Sequence, residues 1–97
     1  MARIVYSPGA LEQLERLIRF LQEQNPAAAI QAAAIISSAI NTLQQHPLIG
    51  RNLDSEIREL VISYGKTGYI ALYRHLPAKG EVRILGIRHQ RELDYPY

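Results

Sequence analysis

Two helix starts and the tight connection between them fix the first half of this chain. Ser7-Pro8 sets a capping hydroxyl ahead of a proline, at the helical position where a missing N–H costs nothing. Asn25-Pro26 repeats the signal. Between them Leu11, Leu14, Leu17, Ile18 and Leu21 recur at helical spacing, with Glu12, Glu15, Arg16, Arg19 and Glu23 on the wet side. The first helix is predicted to end near Gln24. A connection as short as residues 24–26 forces the two helices to pack antiparallel as a hairpin.

The second helix is predicted to run to about Gln45, apolar over more than the usual ~100° arc. Ala29, Ala33, Ile36, Ile40 and Leu43 form one stripe, and Ala28, Ala32, Ile35 and Ala39 form a second beside it. Helix one and a sheet can bury one stripe. The other is either more core or an exposed patch of the kind that marks an interface.

Arg3–Tyr6 reads as a short first strand. His46-Pro-Leu-Ile-Gly-Arg51 stops helix two and opens an irregular connector to about Glu56. Residues 57–63, 69–76 and 82–89 then read as strands joined by hairpin turns at 65–68 and 77–80. The order β-α-α-β-β-β predicts an α+β class. A helical hairpin packs on one face of a mostly antiparallel sheet, and residues 1–97 form a single domain. Strict alternation in the last strand sets Arg83, Leu85, Ile87 and His89 on one side and Val82, Ile84, Gly86 and Arg88 on the other. Both sides are apolar mid-strand, so both are expected to be covered, one by the helices and the other by a partner chain.

Net charge is only +2, but its distribution is uneven. Residues 1–49 balance Arg3, Arg16 and Arg19 against Glu12, Glu15 and Glu23, so residues 50–97 supply the whole excess. Most of the cations are arginine, which favours bidentate contact with carboxylate or phosphate. The chain has no cysteine, which excludes a disulfide framework and a zinc–thiolate site and fits a reducing compartment. The N-terminus lacks the apolar stretch of a signal peptide, and the longest near-apolar run, residues 27–36, is about half a membrane span. A soluble cytoplasmic protein with no membrane partner is expected.

The chemistry-bearing residues gather late. Arg88, His89 and Arg91, with Tyr95 nearby, hold the cations and proton carriers that RNA cleavage needs. The same residues suit a basic strand end that docks an acidic partner. Arg58, Arg74 and Arg83 fall on three successive strands and form a charged ladder if they share a face. Paired with Glu59 and Glu81 they would be ordinary solvated cross-strand charges. Gly65-Lys-Thr-Gly68 mimics the tail of a phosphate-binding loop, but the earlier glycine and the following helix are missing. His46, His75 and His89 show no ligand spacing, so neither a metal nor a cofactor is expected.

Taken together, the element order, the His46-Pro-Leu-Ile-Gly-Arg51 connector, Arg58-Glu-Leu60, Gly68-Tyr-Ile-Ala-Leu-Tyr73 and Ile84-Leu-Gly-Ile-Arg-His-Gln-Arg91 resemble the RelE/ParE superfamily of type II toxin–antitoxin toxins over nearly the whole chain. The resemblance implies a small toxin neutralised by a cognate antitoxin that wraps across it. It also implies two possible activities. RelE-like members cleave mRNA on the ribosome, with basic middle strands, an Arg soon after the Gly-Tyr of the third strand, and an Arg or His plus a Tyr at the C-terminus. ParE-like members have a longer helical hairpin, lack that set and poison DNA gyrase. Here Ile70 follows Gly68-Tyr69, and the connector and the alanine-rich helix are similar to ParE. The favoured expectation is a gyrase inhibitor that acts by binding, without a catalytic residue. Its target-binding residues would be Arg58, Arg74, Arg83, Arg88, His89 and Arg91. Its antitoxin would contact Leu17, Phe20, Ala32, Ile35 and Ala39. The alternatives are a ribosome-dependent mRNA endoribonuclease using His89, Arg91 and Tyr95, and a non-toxic binding module of the same fold. A homodimer or a toxin–antitoxin heterotetramer is compatible with either activity.

Overall fold

The computed structural model describes residues 1–64 and 67–90 of the chain. The elements run β1 (Arg3–Tyr6), α1 (Pro8–Gln24), α2 (Pro26–Asn41), β2 (Arg51–Asp54), β3 (Ile57–Tyr64), β4 (Thr67–Leu76) and β5 (Glu81–His89). Both helix starts form as their sequences require. Ser7 Oγ accepts from the Ala10 amide at 3.1 Å and Asn25 Oδ1 from the Ala28 amide at 3.2 Å. Each side chain thereby satisfies an amide that has no partner within its helix.

The five strands form one sheet in the order β1-β5-β4-β3-β2. Among the described residues only the β1–β5 pair is parallel; the other three pairs are antiparallel. The expected class is therefore observed, with one correction. The stretch after His46 is not wholly irregular, because Arg51 and Asn52 pair with Glu59 and Arg58 and add an edge strand. Four residues are too few for periodicity to announce them.

The helices cover one face of the sheet. The core joins Ala32, Ile36, Ile40 and Leu43 of the α2 side to Ile62, Tyr69, Ala71, Tyr73, Val82, Ile84 and Ile87 of the strands. Fully burying one such isoleucine or leucine is worth roughly 1.5–3 kcal/mol. The helix itself ends at Asn41, earlier than expected, and a 3-10 turn, Thr42–Gln44, carries Leu43 into the core. Helix and turn together span Pro26–Gln44, which by length and composition alone could cross a membrane. The run of residues 27–36 therefore understated it. In this fold Ala29, Ala32, Ile36, Ile40 and Leu43 are buried inside the molecule.

β5 departs from simple alternation. Tyr73 pairs with Ile84 and Leu72 with Gly86, which leaves Leu85 as the extra residue of a β-bulge. Val82, Ile84 and Ile87 consequently all reach the core. The predicted grouping of Ile87 with Arg83 is overturned for the same reason. Beyond Ile84 the strand has outrun β1, and α1 seals its open edge. The Ser7 amide donates to the Ile84 carbonyl at 2.9 Å, and the Ile87 amide donates to Gln13 Oε1 at 2.8 Å.

Candidate interaction surfaces

Directly paired residues in an antiparallel ladder share a face, so the register sorts the functional side chains. Tyr69, Ala71 and Tyr73 point toward the helices, together with their partners His89, Ile87, Ile84 and Arg58. The opposite face, open in the sense that it points away from the helices, carries three rows across β3, β4 and β5 beside the Leu76–Glu81 pair. Ile57, Arg74 and Arg83 make one, Glu59, Leu72 and Gly86 the next, and Val61, Ile70 and Arg88 the third. The six expected target-binding residues do not share one face, and of the expected ladder only Arg74 and Arg83 stand together, with Arg58 on the other side. Arg74, Arg83 and Arg88 share the open face, Arg58 and His89 lie on the helix side, and Arg91 falls outside the described residues.

Arg58 is committed to architecture. Its Nη1 donates to the Gly50 carbonyl at 2.8 Å and to the Leu48 carbonyl at 3.3 Å. Tyr73 completes the clamp: its hydroxyl accepts from the Gly50 amide at 2.9 Å and donates to the Pro47 carbonyl at 2.8 Å. Burial raises the Tyr73 pKa, an effect partly offset by the Gly50 hydrogen bond and the Arg58 charge. The connector is therefore a turn pinned at Pro47, Leu48 and Gly50 that presents the Leu48 and Ile49 side chains to solvent.

On the open face Arg83 is paired with the buried carboxylate of Glu81 and Arg74 with the exposed carboxylate of Glu56. Glu81 is 3% exposed and Glu59 is also buried. Glu81 receives Arg83 Nε at 2.8 Å through Oε2 and Arg3 Nη2 at 3.2 Å through Oε1. Burial alone would raise the Glu81 pKa, but these two guanidiniums more than reverse it and hold the carboxyl below its ordinary value. Glu59 takes Arg51 at 2.7 Å, and Arg74 is bridged to Glu56 of the β2–β3 turn. In the third row Ile70 is 4% exposed and Val61 half exposed, so two of its three positions are apolar.

His89 packs edge-on against Tyr69, ring centroids 5.5 Å apart and planes at 88°. It therefore faces away from Arg88, its neighbour in sequence. The other two members of the nuclease alternative, Arg91 and Tyr95, lie outside the described residues.

The helical hairpin divides the expected antitoxin contacts. Phe20 is 56% exposed, while Leu17, Ile35 and Ala39 are half-buried against the core. Ala32 is wholly buried and unavailable to any partner, because the buried line of α2 runs through Ala29, Ala32 and Ile36. Leu11, expected on the apolar side of the first helix, is 44% exposed, and the two-stripe reading of the second helix passed over Ile30, which is 71% exposed. Gln13 was passed over too. It sits one helical turn before Leu17, and a polar residue on that apolar side is the signal for its edge-sealing role.

Comparison with known proteins agrees with this arrangement. The family model for the ParE toxin of the parDE type II toxin–antitoxin system matches residues 4–94. Toxin RelE3 of Caulobacter vibrioides is 37% identical over 92 residues, covering 95% of this chain and 98% of its own. Toxin RelE1 of the same organism is 32% identical over 73 residues, covering 75% and 78%. A solved structure of the chromosomal ParDE system from P. aeruginosa superposes with a TM-score of 0.76 at 22% identity, over 92% of this chain and 96% of the other. With this fold, this strand register and these relatives, the chain belongs to the ParE toxin family of type II toxin–antitoxin systems, a kinship that implies a cognate antitoxin as its partner.

Proposed function

We propose that this toxin inhibits DNA gyrase by binding it and stalling its DNA-cleaving cycle, without a chemical step of its own. The observation that carries the reading is the Val61–Ile70–Arg88 row. The nuclease branch is expected to place an arginine just after the Gly-Tyr of this strand, and here Ile70 fills that position and is buried. A cation missing there removes charge that in-line phosphate cleavage needs. The commitment of Arg58 to the connector supports the same reading. Arg74, Arg83 and Arg88, which share the open face, are the cations that would meet a macromolecular target. The apolar side of the hairpin, with the exposed Phe20 beside the half-buried Leu17, Ile35 and Ala39, is the docking surface for the antitoxin. Gyrase places the site of action in the cytoplasm.

The names of the RelE relatives favour a second reading, ribosome-dependent mRNA cleavage with His89 as a proton carrier. The two readings separate in one pair of assays. Purified toxin is added to a gyrase supercoiling reaction and, separately, to a translating extract followed by primer extension on the message. Blocked supercoiling with intact message is expected; codon-phased cuts with unimpaired supercoiling would overturn the proposal.

A further inference from the structure

Arg74 and Arg83 stand directly opposite each other across β4 and β5. Like charges at such a position repel, and a fold keeps them only where anions compensate. Each guanidinium has its own. Arg83 is held from one side by the buried Glu81, through Nε at 2.8 Å and Nη2 at 2.7 Å. Arg74 is held from the other side by Glu56, whose side chain is 68% exposed at a surface turn. The two anchors differ in kind. Glu81 is a fixed part of the sheet, flanked by Arg3 as well as Arg83. Glu56 is a solvent-exposed pair member of the sort that contributes little and exchanges readily. Both arginines remain about two-fifths exposed on the open face.

We propose that Arg74 and Arg83 form a carboxylate-binding pair for an acidic segment of a partner protein, which Glu56 occupies as an internal substitute in the free chain. The inference goes beyond the gyrase reading and uses only its premise that the open face meets macromolecules. The resident group is already a carboxylate, and a planar guanidinium fork matches another. The surroundings select a peptide over a nucleic-acid strand. The part-exposed apolar neighbours on this face are Ile57 and Leu76, and the carboxylate exposed beside them is Glu56 itself. A phosphate backbone would meet apolar side chains and a carboxylate there. An extended peptide alternating acidic and apolar residues would satisfy both the arginines and the part-exposed Ile57 and Leu76.

The test uses the full chain and a short end-blocked peptide of alternating glutamate and leucine, followed through the arginine Nε–H resonances. The peptide is expected to shift the Arg74 and Arg83 signals. Glu56→Gln removes the internal competitor and should tighten binding roughly two- to fivefold, the worth of an exposed pair. Glu12→Gln makes the same charge change at the Arg16 pair on α1 and should leave affinity unchanged. Arg74→Gln should weaken binding about tenfold, the loss of one charge-assisted bond. A gain in affinity cannot arise from unfolding, so Glu56→Gln remains informative whatever Arg74→Gln does to stability. Equal affinities for Glu56→Gln and Glu12→Gln would overturn the proposal. So would a short oligonucleotide that shifts the Arg74 and Arg83 signals more strongly than the peptide. Neither outcome bears on the supercoiling assay, in which gyrase is the probe.

Discussion

The Gly50 amide donates to the Tyr73 hydroxyl at 2.9 Å, across a gap that has no room for a side chain at position 50. A methyl group there would stand 2.6 Å from the hydroxyl oxygen and 2.8 Å from the Glu59 carbonyl. The first contact could relax by moving a ring, but the second is backbone in the adjoining strand. Gly50→Ala should therefore destabilise the fold by about 2 kcal/mol. Tyr73→Phe removes both the acceptor for Gly50 and the donor to Pro47, at a cost of about 1–3 kcal/mol. Urea unfolding midpoints for the two variants check both values. A midpoint shift for Tyr73→Phe no larger than that of an exposed Leu48→Ala control would remove the clamp.

Glu81 makes stability depend on pH in one direction. Its folded pKa lies below the ordinary value of 4.5, so the folded state binds its proton less readily than the unfolded chain. The contribution is fully present above about pH 4.5 and is lost as the pH falls through the lower folded value. Glu81→Gln should lower stability at neutral pH and flatten the acid limb of the stability curve. Denaturation midpoints between pH 3 and 7, for wild type and variant, measure this. Parallel curves for the two proteins would refute the assignment.

Gln13 supplies the acceptor for the Ile87 amide, which no strand pairs. Any side chain at position 86 would also press on that acceptor, since a Cβ there lies 2.9 Å from Gln13 Oε1. Gln13→Ala should cost about 1–3 kcal/mol, the penalty for stranding a part-buried donor. Amide hydrogen exchange at Ile87 should accelerate more than at Ala71, its partner inside the sheet. Unchanged protection at Ile87 would show that the edge is sealed by other means.

The hairpin surface carries a separate expectation. Phe20 and Ile30 are equidistant from the turn at Asn25, which sets them at the same level of the antiparallel pair. Phe20→Glu and Ile30→Glu should each change stability by no more than about 0.5 kcal/mol, because both side chains are already exposed. Each should weaken binding of the cognate antitoxin about tenfold or more if these side chains are anchors. Calorimetric titration with the antitoxin reads the effect. Full affinity in both variants would move the antitoxin contact off this surface.

How far the residues announced all this depends on the range of the interaction involved. Ser7-Pro8 and Asn25-Pro26 act within one turn of helix, and both caps form where the dipeptides stand. The parallel β1–β5 pair needs only that Arg3–Tyr6 be a strand and that the hairpin return the chain. The sorting of the arginines was illegible because it hangs on one unpaired residue. Without the bulge at Leu85, Arg83 and Arg88 would have opposite faces; with it they share one. Gly86 and the spacing from Ile84 to Ile87 were the available hints, since a glycine inside a strand often marks a bulge. Ala32 was misread for a different reason. Two adjacent alanine stripes are equivalent by periodicity, and only the packing of the sheet decides which is inside. Ion pairs such as Arg74–Glu56 join residues distant in sequence and follow from strand register alone.

The most direct measurement of the proposed activity is a titration of toxin against a fixed amount of gyrase, with supercoiling as the readout. An inhibitor that works by occupying the enzyme should bring supercoiling to completion of its loss near equimolar ratio, and excess cognate antitoxin should restore it. Undiminished supercoiling at a large molar excess of folded toxin would contradict the gyrase assignment outright.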